Sequence, residues 1–308
     1  NSVQTHLQKA DSLIQISVTN SNYLQAAQMS RNVYQEILKD SKDYALKAVY
    51  IEKEIAFYER EQVNDSLYVS ALSSLGNVFY KAKMYAKSLE TNIKLLERPN
   101  PWISEASVLF DIGKNYYRLG EFFQAEDFYH RSLNLYNQSK DIPEQINVNF
   151  ALIRVYNKLR SEESLEKMHN ALLRLETINS DSPFTISNQL LFNNYYANYY
   201  NHPSSYNFNA SRTYYLKNLA LSEKTQNDIW VCATSNNLGD LYNEAKKDSA
   251  IYYLKKSLNY CNESTFYYTY HQISFAYLNS GEFENALAYT DRSSIFRTLE
   301  TFEERTWK

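Results

Sequence analysis

Five glycines in 308 residues, all at two places of one recurring pattern, constrain this chain more than any other feature. Gly76, Gly113 and Gly239 each follow Leu or Ile directly and precede an aromatic residue by three: Leu75 and Phe79, Ile112 and Tyr116, Leu238 and Tyr242. Gly120 and Gly281 stand in short turns just before Glu121-Phe122 and Glu282-Phe283. An enzyme fold spreads its glycines over turns, bulges and ligand loops. Here they mark a helix-packing position and a helix–helix turn, so a stack of helical hairpins is expected, and a binding function.

With the first kind of glycine counted as position 8, position 7 is Leu75, Ile112, Leu152, Leu238 and Ile273. Position 11 is Phe79, Tyr116, Tyr156, Tyr242 and Tyr277. Position 20 is small: Ser88, Ala125 and Ala286, with Ala250 reached after a turn one residue shorter. These spacings put large apolar residues on one face of a first helix and a small residue where a second helix crosses closely. The units recur from 76 to 113, 113 to 153 and 239 to 274, a period found in helical-hairpin solenoids. Pro99, Pro101, Pro143, Pro183 and Pro203 fall between the expected helices. Asp65-Ser66, Asp141, Asp181-Ser182 and Asn227-Asp228 are the expected helix caps.

The segment from Leu109 through Ile112-Gly113, Tyr116 and Gly120-Glu121-Phe122 to Ala125 resembles the tetratricopeptide repeat nearly throughout, as does Ile273 to Ala286. The resemblance is clear over roughly residues 65–298 and implies an all-α, right-handed superhelical solenoid of antiparallel hairpins, about six to seven of them. Residues 1–64 read as a hairpin followed by a capping or degenerate-repeat helix over 43–62. Residues 65–308 read as the array, with a divergent repeat near 186–221 whose segment 201–209 lengthens the turn.

A net charge of −3 and a pI near 6.0 disfavour a basic nucleic-acid surface. No apolar run approaches the length of a membrane span. Cys232 and Cys261 form neither a CxxC pair nor a zinc spacing and read as two buried thiols. The twenty-nine tyrosines read as packing residues that keep their hydroxyls wet. The chain begins at Asn1 and ends in what reads as a helix carrying Phe296, Leu299, Phe302 and Trp307. We expect a fragment or processed product whose last face frays or pairs with another copy. A cytoplasmic location is expected, or a periplasmic one if a signal sequence was removed.

There is no Gly-rich phosphate loop, no HExxH, and no His pair at helical spacing; His6, His130, His169, His202 and His271 are scattered. A regular solenoid lacks the deep, dry cleft that catalysis uses. No catalytic, cofactor-binding or metal-binding residue is therefore assigned in this segment.

The resemblance implies that first helices line the concave face. Carried over unit by unit, it offers Asn77, Tyr80 and Lys81, then Phe110, Lys114, Tyr117 and Arg118, then Asn147, Phe150, Arg154, Asn157 and Lys158. Further along come Asn236, Asp240, Asn243 and Glu244, and last His271 and Phe275. Lys81, Lys114, Arg118, Arg154 and Lys158 would form a basic band, and Asp240 with Glu244 an acidic patch. The band fits an ordinary solvated face, or a site for an acidic or C-terminal peptide. Of the residues that a chaperone-tail carboxylate clamp requires, only Asn77 is present, so that clamp is rejected.

The Tyr- and Asn-rich style looks like the repeat regions of bacterial multidomain proteins. In one such group the repeats precede a caspase-like CHAT protease; in another they serve a membrane-attached sensor or regulator. A non-catalytic protein- or peptide-binding module that controls an attached or partner effector is the first expectation. A small-peptide receptor of quorum-sensing type and a purely structural scaffold are the alternatives.

Overall fold

The computed structural model describes residues 2–63, 65–98, 101–243, 246–262 and 265–306. Pro99, Glu244 and Trp307, and the side chains of Phe296, Leu299 and Phe302, lie outside that description. Among the described residues the chain is all-α, with fifteen α-helices and no strand. None of these helices is long and apolar enough to cross a membrane. The backbone separates into two compact units, residues 1–159 and 160–308.

Unit 1 holds α1 (Ser2–Thr19), α2 (Tyr23–Asn32), α3 (Tyr44–Arg60), α4 (Ser66–Lys81), α5 (Tyr85–Leu96), α6 (Glu105–Leu119), α7 (Phe122–Ser139) and α8 (Ile142–Leu159). The pairs α1–α2, α4–α5 and α6–α7 pack as hairpins, and α8 packs on α7. A π-type turn over Val33–Ile37 extends α2. The helix without an evident sequence partner, α3, packs on both α2 and α4. Its inner side carries Glu54, fully buried and paired with Arg31 of α2.

Helix boundaries follow local chemistry. Asp65 Oδ1 accepts from the backbone N–H groups of Leu67 and Tyr68 at 2.8 and 3.2 Å, and Asp43 Oδ1 from that of Leu46 at 2.9 Å. These bonds satisfy donors that the first turn of a helix leaves open. Gly120 ends α6 in the left-handed region with φ of 86°, where a side chain is strained. Two sequence readings are corrected. Asp181 is the last residue of its helix and Ser182 its C-terminal cap, so Thr185 caps the next helix instead. Pro143 lies inside the first turn of α8, where no N–H is needed, rather than between helices.

The repeat register is a packing register. A Cβ on Gly113 would sit 2.7 Å from the Tyr129 ring, one on Gly76 2.5 Å from Asn92 Oδ1, and one on Gly239 2.4 Å from Leu254 Cγ. Such separations are far inside van der Waals contact, so position 8 stays small because the second helix has moved onto it. The partners at position 20, Ser88, Ala125, Ala250 and Ala286, are all buried. Ser88 Oγ donates to the Gly76 carbonyl at 2.8 Å across the crossing.

Unit 2 holds α9 (Glu162–Asp181), α10 (Ile186–Tyr200), α11 (Phe208–Lys224), α12 (Asp228–Tyr242), α13 (Lys247–Leu258), α14 (Phe266–Asn279) and α15 (Phe283–Thr306). Helix α9 packs on α10, and the pairs α10–α11, α12–α13 and α14–α15 are hairpins. In the divergent unit, Ser211 Oγ donates to the Ala197 carbonyl at 3.0 Å. That bond repeats the Ser88–Gly76 crossing with two more residues in the turn. The longer turn carries a short 3₁₀ segment, Pro203–Ser205, closed by the Asn207 N–H on the Tyr200 carbonyl at 2.8 Å.

The two cysteines are not thiols. Cys232, in the N-terminal part of α12, is disulfide-bonded to Cys261, in the connection after α13. The sequence shows no reason for them to meet, because 29 residues separate them. Helix α13 brings them together by folding back on α12 and returning the chain to its start. Asn236, one turn on, sits behind the bridge with Nδ2 at 3.6 Å from Cys261 Sγ.

Candidate functional site

The first-helix face of unit 1 gathers some of the residues expected to bind. Asn77 and Tyr80 of α4 and Lys114 of α6 line a cleft of about 130 Å³ together with Ser73, Ser88, Asn92, Asp111 and Asn115. Asn115 is buried; its Nδ2 donates to the Asp111 carbonyl at 2.9 Å. Its Oδ1 is buried and has no partner among the described residues. The cleft is thus polar, and amides and hydroxyls set its character.

Cations and rings are interleaved at its rim. Lys114 Nζ is 2.6 Å from Asp111 Oδ1 and lies 5.0 Å from the Tyr80 ring centroid and 5.5 Å from that of Phe110. Arg118 Nε donates to the Tyr80 hydroxyl at 3.0 Å, which holds the guanidinium charged and in place. Phe110 packs on Tyr129 with centroids 5.5 Å apart. Burial pushes the Tyr129 hydroxyl well above its ordinary value, and the nearby Arg154 charge opposes that shift. Tyr117 packs edge-on against Phe122 of its own hairpin.

The remaining expected residues spread out. Lys81, Asn147, Asn157 and Lys158 are exposed, and Asn147 Nδ2 reaches Glu144 Oε2 at 3.2 Å. Phe150 is buried in α8 and presents no face to a partner. Asn236 is buried as well: its Oδ1 accepts from Ser257 Oγ at 2.9 Å and Thr269 Oγ1 at 3.0 Å, so it holds α12, α13 and α14 together. Asp240 and Asn243 do share a cavity, one of about 470 Å³ lined also by Asn201, Pro203, Tyr206, Leu241 and Phe275. His271 is exposed. Among the described residues no three His, Cys, Asp or Glu side chains gather as a metal site.

Sequence reasoning missed Asp111, Asn115, Asn92 and Tyr206 as lining residues. Asp111 had a signal, since it stands three residues before Lys114 on one helix, the spacing of an ion pair. Asn92 had none: it comes from the second helix of its hairpin and reaches the cleft only because Gly76 lacks a side chain.

No family model matches the chain, and no curated sequence does. Solved structures do. A tetratricopeptide repeat protein from Parabacteroides merdae matches with a TM-score of 0.59 at 16% identity, over 91% of this chain and 97% of that one. Aspartyl phosphate phosphatase F from Bacillus subtilis matches with 0.58 at 13%, over 93% and 74%. The apo form of the quorum sensor NprR from B. thuringiensis matches with 0.52 at 12%, over 96% and 99%. The fold of this chain is that of tetratricopeptide repeats.

Proposed function

We propose that the chain is a non-catalytic binding module whose unit 1 face holds an extended, acidic polypeptide segment. The observation that carries this reading is the polar cleft between Asn77, Asn92 and Asn115, rimmed by Tyr80, Lys114 and Arg118. Side-chain amides satisfy the N–H and C=O groups of an extended backbone, and cations select carboxylates along it. Lys114 is offset by Asp111, so the selective charge rests on Arg118, Arg154, Lys81 and Lys158. No carboxylate lies within ion-pair distance of these four among the described residues.

A small-peptide receptor is the second reading. It draws on the match to NprR over nearly the whole length of both chains, and that protein is a quorum sensor. Control of an attached or partner effector belongs to either reading. The disulfide supports an oxidising compartment, because such bonds persist outside the reducing cytosol. We therefore favour a periplasmic or secreted setting over a cytoplasmic one.

Fluorescence anisotropy with a labelled acidic decapeptide tests the main reading. Reversal of the exposed Arg118 and Lys158 to Glu is expected to weaken binding several-fold, mostly through the association rate, and added salt to weaken wild type likewise. Binding that ignores both changes would overturn it.

A further inference from the structure

Tyr129 of α7 is only 2% exposed, yet its hydroxyl has no hydrogen-bond partner among the described residues. Its ring is fixed against Gly113 and against Phe110, so the hydroxyl cannot swing away to find one. Unlike Asn115 Oδ1, which is sealed off, this oxygen reaches the surface. The charged and phenolic groups that act on it are Arg154 of α8, Tyr80 of α4, and Tyr117 and Arg118 of α6, so it opens onto the first-helix face. Burial keeps it a neutral O–H despite the Arg154 charge, and an O–H can donate.

Its neighbours are donors as well. Arg118 Nε donates to the Tyr80 hydroxyl at 3.0 Å, which leaves the Tyr80 proton and the guanidinium Nη groups for a ligand. Arg154 is half-buried and has no ion pair or hydrogen bond among the described residues. Asp111, the carboxylate nearby, is bonded to Lys114 at 2.6 Å. Side chains of four helices therefore turn two guanidinium ions and two phenolic O–H groups towards one space. A half-buried charge favours a partner of opposite sign.

Charge and oxygen count choose that partner. Cations and apolar groups are excluded by the two arginines. A carboxylate brings one negative charge on two oxygens. A phosphate monoester brings nearly two charges at neutral pH on three oxygens, enough for two forked guanidinium ions and a hydroxyl.

We propose that Arg118, Arg154 and the Tyr129 hydroxyl hold the phosphate of a phosphorylated side chain on the bound polypeptide. This anchor presupposes the reading of unit 1 as a polypeptide-binding face and deepens it. The two arginines neutralise the dianion, Tyr129 donates to a phosphate oxygen, and Tyr80 keeps the Arg118 guanidinium in place.

Fluorescence anisotropy with three labelled acidic decapeptides, identical except for phosphoserine, Glu or Ser at the centre, tests the anchor. The phosphoserine peptide is expected to bind roughly ten-fold more tightly than the Glu peptide at neutral pH. Tyr129→Phe keeps the ring, and Arg154→Gln shortens only a half-buried side chain. Each is expected to weaken the phosphoserine peptide several-fold more than the Glu peptide. At about pH 5 the phosphate has lost one charge, and the preference should shrink. Equal binding of the phosphoserine and Glu peptides, both weakened by Arg118→Glu with Lys158→Glu, would overturn the phosphate anchor and leave the acidic-segment reading standing. A preference unchanged in Tyr129→Phe and in Arg154→Gln would place the phosphate elsewhere and overturn it too. Failure of all three peptides to bind would overturn both readings. Inorganic phosphate competing as strongly as the phosphoserine peptide would assign the site to the free ion and overturn the polypeptide source.

Discussion

Arg31 of α2 donates through Nε to Oε1 of Glu54 on α3 at 2.7 Å, and both side chains are buried. Tyr34 adds its hydroxyl to the other carboxylate oxygen at 2.8 Å, and Arg31 also donates to the Leu67 carbonyl of α4 at 2.9 Å. One charge pair therefore ties three successive helices, including the helix that belongs to no hairpin. Its contribution is to the order of the stack more than to net stability, because desolvation offsets much of the attraction.

Removing one partner is a different matter. Glu54→Ala leaves a guanidinium buried without its carboxylate, and a loss of about 3–5 kcal/mol is expected. The double replacement Arg31→Met with Glu54→Leu should lie much closer to wild type, since neither charge then needs water. Urea denaturation of the three variants measures this. A single-variant loss below about 1 kcal/mol would show that solvent already reaches the pair.

Gly113→Ala is expected to cost about 1–3 kcal/mol, because its new methyl group meets the Tyr129 ring at 2.7 Å. Combining it with Tyr129→Leu should cost less than the sum of the two single changes, as the smaller side chain makes room. Thermal melts of the four proteins give the coupling. Strict additivity would mean that the glycine and the ring do not confront each other.

That confrontation explains what was legible. A close helix crossing tolerates few residue types, so Gly76, Gly113 and Gly239 wrote the crossing into the sequence, and Ser88, Ala125 and Ala250 wrote its other half. The place of α3 was not legible, because it rests on Arg31 and Glu54, two ordinary surface residue types 23 apart. The disulfide left no spacing signal. Asn77, Tyr80 and Lys114, which line the unit 1 cleft, share helix faces with the repeat register. Phe150 and Asn236 also sit in that register yet turn inward, since a helix face says nothing of what has packed over it. The unit 2 cavity needed the fold of the α10–α11 turn, which no periodicity encodes.

Tyrosine burial makes the fold sensitive to alkali. Burial, more than any neighbouring charge, pushes Tyr50, Tyr58, Tyr68 and Tyr136 up to about 12, with Asp11 bonded to Tyr50 and Glu59 to Tyr68. Tyr34, Tyr129, Tyr196 and Tyr215 are pushed further, Tyr196 by burial and then by its bond to Glu176. A folded value above the unfolded one gives stability that is complete below about pH 10 and lost as pH rises from there through about 12. The melting temperature is expected to fall across that window, and phenolate absorbance to rise together with unfolding. Replacing Tyr196 and Tyr50 by Phe should flatten the fall. A slope unchanged by both replacements would assign it to other groups.

The bridge between Cys232 and Cys261 closes a segment spanning α12, α13 and the connection to α14. Cross-linking across 29 residues restricts the unfolded chain by about 3–4 kcal/mol in the chain-entropy account. The folded contribution is local: Asn236 has its amide nitrogen facing both sulfurs and its oxygen bonded to Ser257 and Thr269. Reduction, or Cys232→Ser with Cys261→Ser, is therefore expected to destabilise unit 2 and to leave unit 1 intact. Hydrogen exchange resolved along the chain can read the two units apart. Faster exchange in α12 to α14, with α4 to α7 unchanged, is the expected pattern. Equal exchange in the oxidised and reduced proteins would mean that packing alone holds these three helices and the bridge adds nothing.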